Sequence, residues 1–105
     1  MEYNFDLVFS NLDGRPLMIA NGKSLKAAKM YEYLSLILVD YQSKGQAVKL
    51  YEMACKIRKD RKIELDTSDK ELVEQAINAS TTYNNLVTAQ LLLQLKNQQE
   101  EGKDA

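Results

Sequence analysis

The sequence predicts an α+β fold that is mostly helical: an N-terminal β-hairpin packed on three helices, the last one long. Three observations predict it. Residues 3–9 alternate, with Tyr3, Phe5, Leu7 and Phe9 on one side and Asn4, Asp6 and Val8 on the other, the period of a half-buried strand. From about residue 24 apolar residues recur at spacings of three and four, the period of a helix. Ser68-Asp69-Lys70-Glu71 reads as a capping box ahead of an apolar run.

In chain order, Asn11-Leu12-Asp13-Gly14 is a turn signal, because Asp-Gly readily supplies positive φ. A hairpin of 3–9 with 15–20 follows, with Pro16 at a strand start or on an edge, where its missing N–H is harmless. Asn21-Gly22-Lys23-Ser24 ends the hairpin, and Ser24 or Asn21 caps a first helix running to about Gln42. Ala27, Tyr31, Leu34, Leu38 and Tyr41 form its stripe, which Leu36, Ile37 and Val39 widen nearly to a full circle. A helix apolar on most sides is expected to be central and buried on most sides.

Ser43 and Gln46 fit a capping box around the breaker Gly45, opening a second helix with Ala47, Val48, Tyr51, Ala54, Cys55 and at its end Arg58 on one face. Residues 58–62 read as a polar connector, and Ile63-Glu64-Leu65 as a short third strand near 62–65. The third helix starts at Ser68 and runs to near Gln98. Residues 99–105 read as a flexible charged tail, so 1–98 form a single domain.

Thirty residues of helix would be about 45 Å long, whereas a compact domain of this length has a radius of gyration of about 13 Å. Part of the last helix therefore projects or is covered by another chain, and its far half holds Leu86, Val87, Leu91, Leu92, Leu93 and Leu95. Exposed leucines in such number mark an interface, so self-association through this half is expected. The alternative is that the first two helices cover it.

Composition narrows the chemistry. With 14 basic and 15 acidic residues, the net charge of −1 lacks the global footprint of a nucleic-acid binder. There is no histidine, which removes the commonest general base and metal ligand, and a single cysteine cannot build a thiolate metal site. Cys55, amid apolar neighbours, reads as a buried structural thiol. Gly22-Lys23-Ser24 lacks the glycine a phosphate loop needs five residues earlier, where Leu17 stands; at most its amides and Lys23 would hold one anion. Glu64, Asp66, Asp69 and Glu71 are explained by a strand's solvent face and a helix's first turn. No enzyme, cofactor or metal is expected. The N-terminus lacks a signal-peptide pattern and no segment has the length of a membrane span, so a cytoplasmic protein is expected.

One local charge cluster stands out: Arg58, Lys59, Arg61 and Lys62, with Lys56 nearby. Such clusters neutralise phosphates, but Asp60 interrupts this one and a helix C-terminus favours basic residues in any case.

Asn11-Leu12-Asp13-Gly14, Ile63-Glu64-Leu65-Asp66 with Ser68-Asp69, and Leu86-Val87-Thr88-Ala89-Gln90-Leu91-Leu92 together resemble small proteins of unknown function carried by bacteriophages and mobile elements, notably of gut bacteria. The resemblance spans most of the chain and implies no activity and no site residues. The expected function is a non-catalytic accessory or structural protein, acting by protein–protein interaction as a homodimer through Leu86, Leu91, Leu92 and Leu95. The alternative is a nucleic-acid accessory protein using Arg58, Lys59, Arg61 and Lys62.

Overall fold

The computed structural model describes the backbone of residues 1–104 and the side chains of residues 1–96, so the tail expected over 99–105 lies outside the residues described in full. The elements are β1 (Glu2–Asn4), β2 (Met18–Asn21), β3 (Ser24–Ala27), α1 (Met30–Asp40), α2 (Ala47–Asp60), β4 (Lys62–Glu64), α3 (Thr67–Ala79) and α4 (Asn85–Asp104). The class is α+β, mostly helical, with the third strand near 62–65 in place as β4.

The strands pair differently from the expected hairpin. β1 runs antiparallel to β4, with Tyr3 opposite Ile63. β2 and β3 form the regular hairpin, from Met18 opposite Ala27 to Asn21 opposite Ser24. Of the expected 3–9 with 15–20 ladder only its end remains: the Ser10–Pro16 bridge and the bond from Leu17 N–H to Phe9 C=O, closed by the turn at Gly14. The segment between β1 and that turn lies instead against residues 28–31, with Phe9 N–H donating to Ala28 C=O and Tyr31 N–H to Phe5 C=O.

The physical reason is Gly22. It takes φ +67 at the first of two loop positions, as a tight hairpin turn with glycine first requires. Asn21-Gly22-Lys23-Ser24 is thus the hairpin's own turn, not its end, and residues 24–27 are strand where helix was expected. The inward alternation was sound for Tyr3, Phe5 and Phe9, all buried, while Leu7 is partly exposed. Full burial of a phenylalanine contributes about 1.5–3 kcal/mol, so Phe5 and Phe9 anchor this irregular segment.

The long third helix is two helices. α3 ends at Ser80, whose extended backbone (ψ 129) leaves the helical region. α4 restarts after Asn84, whose side-chain oxygen accepts from the Val87 N–H (3.4 Å) and whose carbonyl accepts from Thr88 N–H. The break folds the chain back, and the radius of gyration is 13.8 Å.

The cap of α3 is Asp66, not Ser68: its Oδ1 accepts from the Asp69 N–H at 2.7 Å. Asp69 in turn pairs with Lys49, tying the start of α3 to α2. α4 clamps the N-terminal segment through glutamines. Gln90 accepts from Ser10 N–H (2.9 Å) and donates to Ser10 C=O (2.7 Å), completing a backbone edge as a neighbouring strand would. Gln94 donates to Asn4 C=O. An aromatic chain, Phe9 edge-on to Tyr33 and Tyr33 tilted against Tyr83, links the same segment to α1 and to the α3–α4 connection.

Candidate functional site

α1 and α2 are antiparallel neighbours joined by a short turn at Gly45 (φ +78). α2 buries Leu50, Met53, Ala54 and Ile57. That is a different face from the expected one: of Ala47, Val48, Tyr51, Ala54 and Cys55, only Ala54 is buried. Two helical-period stripes coexist on α2, and the stripe richer in aliphatic bulk is the one that faces the core. α1 buries Met30, Leu34, Ser35, Ile37 and Leu38 and half-buries Tyr31, Glu32 and Tyr33, which leaves Leu36, Val39 and Asp40 exposed.

The outward remainders of both helices adjoin. Leu36 (44 % exposed) and Val39 (49 %) on α1 and Val48 (69 %) and Tyr51 (62 %) on α2 share one face, with Cys55 also exposed there. Between the helices runs an open groove of about 420 Å³ whose floor and walls are almost wholly apolar, Leu36, Val39, Tyr51 and Cys55 among them. The Cys55 expectation is therefore corrected: the thiol is on the surface. The Tyr51 hydroxyl is held above the usual phenol range, first by its hydrogen bond to the Cys55 sulfur.

One end of the groove is basic. Arg58 is fixed at its rim, Nε donating to Ser35 Oγ at 2.7 Å and Nη2 to the Glu32 carbonyl at 3.4 Å, and Lys59 lines the same end. The Ser35 hydroxyl itself donates to the Glu32 carbonyl, so this buried serine is fully engaged.

The rest of the expected basic cluster is dispersed over other contacts. Lys56 pairs with Asp60 at 2.7 Å one helical turn away. Arg61 is the left-handed residue that ends α2 (φ 63); its guanidinium lies 4.7 Å from the centre of the Tyr31 ring and 3.7 Å from Asp6. Lys62, in β4, reaches Glu2 at 4.0 Å. Lys56, Arg61 and Lys62 are thus each turned to a different partner, Asp60, Tyr31 with Asp6, and Glu2, and do not make one basic plane.

The leucines of α4 are also placed otherwise than expected. Leu91 and Leu95 are fully buried in the chain's own core, beside Val87. Leu86 and Leu92 are half-buried against that core. The break at 80–84 is the cause, since it returns α4 to the body and covers the stripe from within. A surface leucine does remain on α4, Leu93, at the position opposite the buried stripe.

Among the described residues no group of three or more His, Cys, Asp or Glu side chains comes together to hold a metal ion. A second cleft, of about 350 Å³ between the ends of α1 and α3, is lined by Asp40 and the hydroxyl residues Ser80, Thr81 and Thr82. It brings no base to those hydroxyls beyond one exposed carboxylate. No helix of the described residues is long and apolar enough to cross a membrane. Compared with known proteins, the chain matches no family model, no curated protein and no solved structure.

Proposed function

We propose that this chain is a non-catalytic accessory protein that works by protein–protein interaction and self-association, with the face of α1 and α2 as its contact surface. The observation that carries the reading is the contiguous exposed strip of Leu36, Val39, Val48, Tyr51 and Cys55 over an apolar groove. Contiguous apolar surface on a small protein marks an interface, whereas isolated apolar residues do not. The surface differs from the α4 leucines the sequence suggested, because Leu91 and Leu95 already serve the core. An accessory role on a phage or mobile element accords with the resemblance in turn, cap and stripe signals.

The occupant is a second copy of the chain. The face carries both signs of charge, Glu52 as well as Arg58 and Lys59, all exposed, which a copy of itself can match. Size fixes the strength. Helices of 11 and 14 residues are about 16 and 21 Å long. Side by side they offer a face of about 400 Å² in projection, below the roughly 800 Å² per partner of a standard interface. The dimer is accordingly of the weak, concentration-dependent class.

Sedimentation equilibrium into the high micromolar range tests this. Wild type forms dimers, and Leu36→Glu or Val39→Glu leaves a folded monomer. A wild type that stays monomeric and folded across that range overturns the proposal. The nucleic-acid reading is less well supported, because Arg58 and Arg61 are engaged with Ser35, Glu32, Tyr31 and Asp6 of the same chain.

A further inference from the structure

Resting on that reading of the α1–α2 face, we infer that the two copies meet with their α2 helices antiparallel about a two-fold axis beside Cys55, held in register by Glu52 against the partner's Lys59 and by Tyr51 against the partner's Arg58. A two-fold interface makes every contact twice, so the face must complement itself after rotation. Residues seven apart on a helix lie on the same side, about two turns or 10 Å along the axis. Glu52 and Lys59 are such a pair, farther round the exposed stripe from α1, with Lys59 at the groove's edge; Tyr51 and Arg58 are another, on the side that lines the groove. The two pairs are centred half a residue to either side of Cys55.

That spacing decides the orientation. Within one chain Glu52 and Lys59 are too far apart to bond each other. A parallel arrangement would set Glu52 against Glu52 and Lys59 against Lys59, and would align the helix dipoles. Rotation about Cys55 with the helices antiparallel instead sets each carboxylate beside an ammonium and each phenol ring beside a guanidinium, a cation–π geometry. Arg58 is already fixed at the rim by Ser35 and the Glu32 carbonyl, so little side-chain freedom is lost when the Tyr51 ring arrives. The apolar residues Leu36, Val39 and Val48 flank this seam and lose water as it closes.

Two measurements test the arrangement. Glu52→Lys places like charges together at two symmetric points and weakens the dimer about tenfold, while Glu52→Lys combined with Lys59→Glu in one chain restores it to within about threefold of wild type. Glu52 and Lys59 are both exposed, so folding, followed by circular dichroism, is unchanged. Independently, copper–phenanthroline oxidation of wild type gives a rapid Cys55–Cys55 cross-linked dimer, because a disulfide needs Cα atoms within about 7 Å, and Cys55→Ser abolishes it. A folded wild-type monomer at high micromolar concentration overturns both this inference and the self-association it rests on. A genuine dimer that ignores Glu52→Lys, or is not rescued by the double reversal, or fails to cross-link at Cys55, overturns the antiparallel register alone.

Discussion

Asp66 decides where α3 begins. The four free N–H groups of a helix's first turn need acceptors, and the Asp66 carboxylate takes the one from Asp69. Ser68, the residue the sequence pattern favoured, lies already inside the first turn. Both are cap-forming residue types three positions before an acidic residue, so the sequence offers two registers that differ by two residues. Backbone pairing chooses between them: β4 ends at Glu64 and Leu65 is bonded to the Met1 carbonyl, which leaves Asp66 as the first residue free to turn. Asp66→Ala therefore costs about 1 kcal/mol, while Ser68→Ala changes stability by a few tenths of that or less. Urea unfolding of the two variants side by side checks this; equal losses would restore the Ser68 capping box.

The charged residues of α2 carry the clearest pH signature. Asp60 is held below the usual carboxylate range, first by its hydrogen bond with Lys56, and Lys56 is held above the usual lysine range by the same bond. Lys49 is likewise raised, first by Asp69. A depressed carboxyl contributes stability above its unfolded pKa and loses it as pH falls through the folded value. A raised amine contributes below its unfolded pKa and loses it as pH climbs through the folded value. Thermal midpoints of wild type and Asp60→Asn should then differ across neutral pH, in favour of wild type. They should converge below about pH 4 and again above about pH 10. The gap is small, because this pair is exposed and screened. A gap that persists unchanged at pH 2 would show that Asp60 acts through something other than its charge.

At the scale of elements, what could be read in advance depended on whether a signal was local. The start of α2 was legible from Gly45, although Gln46 caps it without the expected Ser43 side-chain bond; its last turn was not, since residues 58–60, read as polar connector, are helix. β4 was legible from the alternation of Ile63, Glu64 and Leu65. The turn at Gly22 was visible but assigned to the wrong side, because a glycine turn between two apolar segments reads equally as hairpin tip or strand end. The break between α3 and α4 also left a trace: Ser80-Thr81-Thr82-Tyr83-Asn84 is a run of β-branched and cap-forming residues. Helical spacing continues across it through Ile77, Ser80, Tyr83 and Val87, and that continuity concealed it. The inner face of α2 was not legible at all, as Leu50-Met53-Ala54-Ile57 and Val48-Tyr51-Cys55 share one period, and only the position of α1 and β4 decides between them.

The split helix changes what a leucine substitution does. Leu91 has no exposed surface and sits in the core with Val87 and Leu95. Leu91→Asp buries a carboxylate with no partner and should cost more than about 4 kcal/mol, unfolding the chain. Leu36→Glu, with its side chain already half in water, should leave the thermal midpoint of the dilute protein within a degree or two. Calorimetry on both variants separates core from contact surface. If Leu91→Asp stayed folded and merely lost self-association, the leucine face of α4 would be the interface after all.

For the molecule as a whole, the two apolar surfaces of its helical layer have opposite fates: the α4 stripe is spent inside the chain, and the α1–α2 stripe is left over. A domain of about a hundred residues buries roughly two-thirds of its unfolded surface, so it has little apolar area to leave unused. The remaining strip has consequences for stability as well as for association. Association that requires the folded chain adds stability by mass action, growing as RT times the logarithm of the partner's concentration over its dissociation constant. The thermal midpoint of wild type should therefore rise with protein concentration over the micromolar range, whereas that of Val39→Glu should stay constant. Raising salt should weaken the rise, because the Glu52–Lys59 contacts are exposed and screened, without abolishing it, because Leu36, Val39 and Val48 lose water regardless. A midpoint independent of concentration in wild type and variant alike would mean that the strip is simply tolerated surface.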